Sequence, residues 1–168
     1  MIKRSSELDL ELIVRQHYDA VFRFCARRVG PDRAADVSQE TFLTAQKVLH
    51  KYRGDSTVST WLLGIANNEC RRYSRSKSHD ALAIEILPDI VGTEGETNQI
   101  IDRHALSQAM QKLSDEHREI VILHELDGLT YEEAAEVLQI PVGTVKSRLH
   151  HAFQQLRRSL YGSEEIER

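Results

Sequence analysis

The stretch that decides the fold is Asp127–Leu149, which reads DGLTYEEAAEVLQIPVGTVKSRL. Thr130 and Glu133 have the spacing of a capping box, in which the two side chains satisfy each other's backbone amides at the start of a helix. Pro141 suits the first turn of a second helix, where a missing N–H costs little. The spacing therefore predicts two short helices joined by a tight turn, as in a helix-turn-helix unit.

The second of these helices has two different faces. Positions 145, 149, 152, 156 and 160 form an apolar stripe at helical spacing. The opposite side carries Gly143, Ser147, His150, His151 and Gln154, with Lys146 and Arg148 beside them. Residues 140–160 hold four cations and no carboxylate, within a chain of net charge −4. This pattern favours a helix that reads the major groove of DNA, and a solvated face on an ordinary hairpin is the alternative.

Helical periodicity continues through the rest of the chain, and no segment alternates as a strand would. We therefore predict an all-α fold of two small helical domains, residues 1–76 and 99–168, joined by a flexible acidic linker at 77–98. The predicted helices are Glu7–Val29, Arg33–His50, Ser56 or Thr57 to Arg75, Gln99–Gln111, Ser114–Leu126, Thr130–Leu138 and Val142–Leu160. The first would bury an apolar face made of Leu8, Leu12, Tyr18, Val21, Phe22 and Cys25.

Two further polar groups stand in the first half of the chain. The third helix would expose Asn67, Asn68, Arg71, Arg72 and Arg75, with Tyr52, Trp61 and Tyr73 in or near it. Cations among aromatic rings suit single-stranded nucleic acid, and the polar loop at 52–57 could hold a flipped base. A solvated face with Trp61 in the core is the alternative. On the second helix, Asp36, Gln39 and Glu40 share a face that favours either solvent or a docked protein.

Composition excludes other classes of function. The apolar runs are too short to span a membrane and the N-terminus lacks a signal peptide, so a cytoplasmic protein without membrane insertion is expected. Cys25 and Cys70 are expected to be buried thiols. The eight histidines have no metal-binding spacing and no phosphate loop is present, so neither an enzyme nor a cofactor or metal site is predicted.

Taken together, residues 36–40, 52–68, 113–121 and 140–149 resemble the extracytoplasmic-function sigma factors, small members of the sigma-70 family reduced to regions 2 and 4. The resemblance covers about residues 7–75 and 102–160. It implies a non-catalytic protein that binds core RNA polymerase and directs transcription from promoters with −35 and −10 elements. A stand-alone helix-turn-helix repressor or activator is the alternative, but it has no need of a basic, aromatic helix at 52–75.

The resemblance also implies residue roles and partners. The implied −35 contacts are Thr144, Lys146, Ser147, Arg148, His150, His151 and His124. The implied −10 contacts are Tyr52, Arg53, Gly54, Asp55, Ser56, Thr57, Trp61, Asn67, Asn68, Arg71, Arg72 and Arg75. The implied contacts with core polymerase are Asp36, Gln39, Glu40 and Leu43, and its implied binding elements are the β′ clamp, which the helix bearing Asp36, Gln39 and Glu40 would hold, and the β flap. The other implied partners are promoter DNA and a cognate anti-sigma factor, with the chain monomeric or in a 1:1 complex. Histidines at 150 and 151 depart from the usual family pattern.

Overall fold

The computed structural model describes residues 9–76 and 103–162, and none of the residues in these two ranges lies in a β-strand. The all-α prediction is therefore confirmed. The chain divides into two compact units, built on α1–α3 and on α4–α7. The helices are α1 (Leu10–Val29), α2 (Pro31–Val48), α3 (Val58–Ser76), α4 (Arg103–Lys112), α5 (Asp115–Val121), α6 (Tyr131–Leu138) and α7 (Val142–Tyr161). The predicted linker at 77–98 lies outside the described residues.

The ends of α1 follow from its capping residues. The Asp9 side chain accepts a 3.0 Å hydrogen bond from the amide of Glu11, so the helix begins at Leu10 and not at Glu7 as predicted. Gly30 ends the helix with a φ of 84°, which is easily reached without a Cβ. The chain turns there and α2 begins at once, with Pro31 in its first turn.

The buried face of α1 differs from the predicted one. Val21 and Cys25 are buried as expected, but Leu12 is 51% exposed and Tyr18 is 40% exposed, while Leu8 lies outside the described residues. The core stripe instead contains Ile13, Val21, Phe24, Cys25 and Arg28. The prediction followed apolar residues alone, so it did not place Arg28 in the core. The guanidinium of Arg28 lies 3.4 Å from the Phe24 ring centroid and donates to the Phe24 carbonyl at 3.0 Å, so it is stabilised inside.

The two cysteines lie in this core as free, buried thiols. A hydrogen bond from Cys70 lowers the pKa of Cys25 against the effect of burial, with Ser38, Arg28 and Thr41 adding to the lowering. The same contact, together with burial, raises the pKa of Cys70 above its ordinary value. The two sulfur atoms therefore join α1 to α3 without a disulfide.

The second unit is organised by its turns. Ser114 caps α5 by accepting from the amide of His117 at 3.3 Å. After Val121 the helix widens into a π-helical segment, Ile122–Leu126, which the sequence did not predict. Gly128 then turns the chain with a φ of 70°. The predicted capping box at the start of α6 is confirmed: Thr130 N lies 2.9 Å from Glu133 Oε2, and Glu133 N lies 3.2 Å from Thr130 Oγ1.

The turn between α6 and α7 carries a non-glycine residue with positive φ. Gln139 has a φ of 56°, and the amide of Ile140 donates to the carbonyl of Ala135 at 3.0 Å. This is the hydrogen bond of a Schellman motif, in which glycine is the usual residue at the left-handed position. Beyond the turn, α7 buries the predicted stripe, which consists of Val145, Leu149, Ala152 and Leu156. Leu160, the last member, is only half-buried.

Candidate nucleic-acid and polymerase interfaces

The N-terminal end of α7 presents open backbone donors. Pro141 precedes the helix in an extended conformation, and no side chain caps the first turn. The Pro141 carbonyl accepts from the amides of Thr144 at 2.9 Å and Val145 at 3.2 Å. The amides that precede Thr144 in this first turn have no partner within the helix, because no earlier turn supplies carbonyls to accept from them. Together with the positive end of the helix dipole, these N–H groups suit an anion such as a phosphate.

The outer face of α7 contains the side chains predicted to read bases. Lys146, Ser147, His150, His151 and Gln154 are all exposed, opposite the buried stripe. The two histidine rings lie 5.7 Å apart between centroids, and His150 Nε2 lies 3.0 Å from the Gln154 amide nitrogen. The structure therefore brings these donors together on one surface, which we call the α7 face.

Two other predicted −35 residues border this face without being freely exposed. Thr144 is half-buried in the first turn. Arg148 forms a 2.9 Å ion pair with Glu116 of α5, and its side chain is 24% exposed. A contact between Arg148 and DNA must therefore compete with the Glu116 carboxylate.

His124 lies in the π-helical segment beside the start of α6. Its Nδ1 is 2.7 Å from the Leu129 carbonyl oxygen, and its ring stacks on Tyr131 with centroids 4.7 Å apart. Lys146 Nζ lies 5.4 Å from the same Tyr131 ring centroid. The predicted −35 contacts at His124 and Lys146 are thus joined by a ring that the sequence prediction did not include.

In the first unit, the loop at 52–57 is closed by its own side chains. The Tyr52 hydroxyl donates to the Ser56 carbonyl, and the Tyr52 ring lies 5.0 Å from the Trp61 ring. Gly54 has a φ of 78°, and Thr57 Oγ1 accepts from the Thr60 amide at 3.1 Å at the start of α3. The loop residues that remain exposed are Arg53, Gly54, Asp55 and Thr57. The loop is therefore a shaped polar surface next to a half-buried tryptophan.

The polar side of α3 agrees with the prediction only in part. Asn68, Arg72 and Arg75 are exposed and Arg71 is half-buried. Asn67 is buried and not exposed as predicted, because it lies four residues after the buried Leu63 on the same side of the helix. Its side-chain amide has no hydrogen-bond partner among the described residues.

Arg72 belongs to an ion-pair network that joins α3 to α2. It contacts the carboxylate of Glu69, whose side chain is only 8% exposed, and it lies 3.7 Å from Glu40. Thr44 donates to the other oxygen of Glu69 at 2.9 Å. Because a buried carboxylate needs a counter-ion, Arg72 has a structural role whether or not it touches DNA.

The predicted polymerase-binding residues form one strip on α2. Asp36, Gln39, Glu40 and Leu43 are all exposed, and Leu43 is 41% exposed although it is apolar. The carboxylates of this strip would be complementary to a basic patch on a protein partner. We call this set the α2 strip.

Comparison with known proteins agrees with both units. Residues 13–79 match the family Sigma-70 region 2, and residues 103–156 match Sigma-70, region 4. The ECF RNA polymerase sigma-E factor of Escherichia coli (strain K12) is 32% identical over 164 residues, covering 90% of this chain and 86% of that protein. The chain belongs to the extracytoplasmic-function group of the sigma-70 family. The stand-alone regulator is disfavoured, because region 2 is present as well as region 4.

Other relatives support the same assignment for this sigma factor. RNA polymerase sigma factor YlaC of Bacillus subtilis (strain 168) is 31% identical, covering 95% of this chain and 96% of the relative. The fold is shared with CnrH in complex with the cytosolic domain of CnrY, at a TM-score of 0.66 and 23% identity over 90% of this chain and 88% of the other. It is also shared with the sigma factor RpoE in complex with the anti-sigma factor NepR from Bartonella quintana, at a TM-score of 0.64 and 23% identity over 95% and 99%.

Sequence reasoning missed several side chains that shape the sigma factor's surfaces. Arg118 ties the end of α4 to α5 by donating to the carbonyls of Met110 at 2.9 Å, Gln111 at 3.0 Å and Leu113 at 2.8 Å. Tyr131 and Glu116 orient predicted contact residues from other elements. These partners are seven or more residues away or reach backbone atoms, and a search for helical spacing on one face does not find them. The capping box was found because both of its members are local.

Two structural observations bear on other classes of protein. Within residues 9–76 and 103–162, no helix is long and apolar enough to cross a membrane. Over the same residues, no group of three histidine, cysteine or acidic side chains is placed to hold a metal ion.

Proposed function

We propose that this sigma factor binds core RNA polymerase through the α2 strip, reads the −35 element with the α7 face, and captures the melted −10 strand with the loop at 52–57 and α3. The observation that carries the proposal is the α7 face itself, in which five exposed polar or cationic side chains lie along a helix whose N-terminus has no side-chain cap. Phosphates would bind the open amides and cations, and the exposed side chains would reach base edges.

The first unit supplies what a duplex reader alone does not need. A flipped base could stack near Trp61 while the exposed groups of the loop hydrogen-bond its edge, and Arg75 and Asn68 would follow the strand. Arg72 would contribute only by leaving its ion pairs with Glu69 and Glu40, so its share of the −10 contact should be smaller than that of Arg75.

The main test is run-off transcription with core polymerase and the full chain on a promoter library. We expect a small set of promoter-specific transcripts with a common −35 sequence. Core polymerase that stays silent, while the chain alone binds duplex DNA tightly, would instead favour the stand-alone regulator.

Variants separate the two DNA-binding surfaces from the polymerase surface. Lys146→Ala with His151→Ala should weaken −35 dependence and leave polymerase affinity unchanged. Asp36→Lys should instead weaken binding to core polymerase and leave −35 dependence unchanged. Asp19→Lys, which reverses an exposed charge on α1, is the matched control. Asp36 is preferred to Glu40 because Glu40 lies near Arg72, so its reversal would also disturb α3. Loss of polymerase binding in the Lys146 and His151 variant would show that the interfaces are wrongly assigned.

We further propose that an anti-sigma factor holds this chain inactive. Support comes from the solved complexes of two proteins with the same fold, and from exposed apolar side chains at Leu12, Tyr18 and Leu43 in the first unit. The partner should co-purify with the full chain from its source cells at 1:1 stoichiometry and abolish run-off transcription when added back. A co-purifying protein that leaves transcription unchanged would not be an anti-sigma factor.

A further inference from the structure

Three side chains from three different elements form a stack at the edge of the α7 face. Tyr131 is the first residue of α6, and its ring lies against His124 at a centroid distance of 4.7 Å and an angle of 27°. Lys146, from the second turn of α7, places its ammonium nitrogen 5.4 Å from the same ring centroid. Tyr131 therefore contacts both a cation and an imidazole, and we call the three residues the His–Tyr–Lys stack.

The hydrogen bond to Leu129 fixes the proton arrangement of His124. A carbonyl oxygen only accepts hydrogen bonds, so the 2.7 Å contact requires that Nδ1 carries a hydrogen. In the neutral ring the remaining nitrogen, Nε2, is then an acceptor. A backbone phosphate is also an acceptor. His124 can consequently donate to phosphate through Nε2 only as the imidazolium.

Two charged groups lie near the His124 ring. Glu125 Oε1 lies 3.7 Å from Nε2, and the ammonium of Lys146 lies 5.4 Å from the centroid of the neighbouring Tyr131 ring. On the neighbouring helices, Arg148 of α7 is paired with Glu116 of α5. A phosphate at Nε2 adds a second negative charge, so binding DNA and binding a proton should favour each other.

We propose that Tyr131 is a positioning residue for the contact with the DNA backbone, and that His124 makes this contact through Nε2 after taking up one proton. This inference rests on the proposed role of the α7 face. The tyrosine ring holds His124 and Lys146 at a fixed separation, so that one phosphate-facing donor and one base-facing cation are oriented before DNA arrives. The two flexible side chains are then ordered before DNA binds, so the entropic cost of ordering them does not reduce the free energy of binding.

The test measures promoter affinity against pH with the holoenzyme, made from core polymerase and the full chain. The probe is a labelled duplex carrying a promoter enriched by run-off transcription, from about pH 6 to about pH 8.5, the range in which histidine titrates. We expect the wild-type affinity to fall as pH rises, by up to about tenfold per pH unit for one linked proton. His124→Gln keeps an uncharged donor and should remove most of this dependence. His104→Gln, at an exposed position on α4, is the matched control and should keep the wild-type pH dependence.

Substitutions at Tyr131 test the positioning role. Tyr131→Phe keeps the ring and should bind like the wild type, whereas Tyr131→Leu should weaken binding several-fold at low pH and flatten the pH profile. Far-UV circular dichroism of both variants checks that the unit is folded. If Tyr131→Leu is folded and binds with the wild-type profile, the positioning role is refuted.

Two further results separate this inference from the proposed function. An active holoenzyme whose His124→Gln variant keeps the full pH dependence would refute the proton-linked contact alone. A wild-type holoenzyme that shows no promoter-specific binding would refute the proposed function and this inference with it. Independently, nitrogen chemical shifts of His124 in the free chain should show a hydrogen on Nδ1, and a neutral ring protonated on Nε2 would overturn the argument.

Discussion

Replacing Arg118 by methionine should destabilise the second unit more than any other exchange of a partly exposed charge. The guanidinium donates to three backbone carbonyls where α4 ends and the chain turns into α5. These carbonyls are among the groups that a helix C-terminus leaves without internal partners. Methionine keeps most of the aliphatic volume, so the variant removes the donors and not the packing.

The expected loss can be worked out from these contacts. A hydrogen bond from a charged group contributes roughly 1.5–3 kcal/mol, but carbonyls at a turn regain water once the side chain is gone, so we expect a total loss of about 2–4 kcal/mol. The ion pair with Asp115 adds little, because that carboxylate is 81% exposed. For a small domain, this corresponds to a drop in melting temperature on the order of 10–25 °C.

The assay uses the position of the single tryptophan, Trp61, in the first unit. Far-UV circular dichroism follows all helices, whereas tryptophan fluorescence follows the first unit. In Arg118→Met, part of the circular dichroism signal should be lost at a lower urea concentration than in the wild type. Asp115→Asn and Arg157→Met, at exposed positions, should change the free energy of unfolding by less than about 1 kcal/mol. If Arg118→Met behaves like these two controls, the carbonyl contacts do not hold the turn.

Further predictions concern the same unit and are checked by urea unfolding or DNA binding. Leu149→Ala should lower the free energy of unfolding by about 2–5 kcal/mol, because Leu149 is buried in the α7 stripe. Thr130→Val removes one half of the capping box and should lower it by about 1 kcal/mol, while Thr130→Ser should retain it. Gln139→Val should lower it by more than about 1 kcal/mol, since a β-branched residue resists the positive φ, and Gln139→Gly should not. Glu116→Gln should raise promoter affinity two- to fivefold by freeing Arg148, about 0.4–1 kcal/mol, the usual size of a surface ion pair.

The features that the sequence predicted correctly depend on residues that lie close together along the chain. The capping box at Thr130, the turn before α7 and the buried stripe of α7 follow from spacings of three and four residues, and all three were confirmed. The error in α1 arose because burial did not follow apolar character alone, since Arg28 is stabilised inside by Phe24 while the apolar Leu12 is exposed. The π-helical segment was missed because its sequence pattern does not differ from that of an α-helix.

The sequence predicted which residues share the candidate surfaces, but not which of them are paired with other side chains of the chain. Helical spacing placed Lys146, His150 and His151 on one face, but no spacing rule reveals that Arg148 is paired with Glu116 or that Tyr131 supports Lys146. Such pairs join elements whose relative placement is set by the fold. The sequence therefore lists the groups that can meet DNA, and the structure separates those that are free to do so from those that must first leave a partner.

This separation affects how the arginines should contribute to binding. Arg148 and Arg72, one in each unit, both contact a carboxylate of the chain, so a phosphate would replace an existing ion pair at each. Exchanging a carboxylate of the chain for a phosphate gains little electrostatic free energy, and at Arg72 it would leave the buried Glu69 without its counter-ion. A new charge-assisted contact at an open amide or at Lys146 gains more. We therefore expect the open N-terminus of α7 and the His–Tyr–Lys stack to supply the affinity for DNA in the second unit. The paired arginines would then act chiefly by restricting where along the DNA the exchange is geometrically possible.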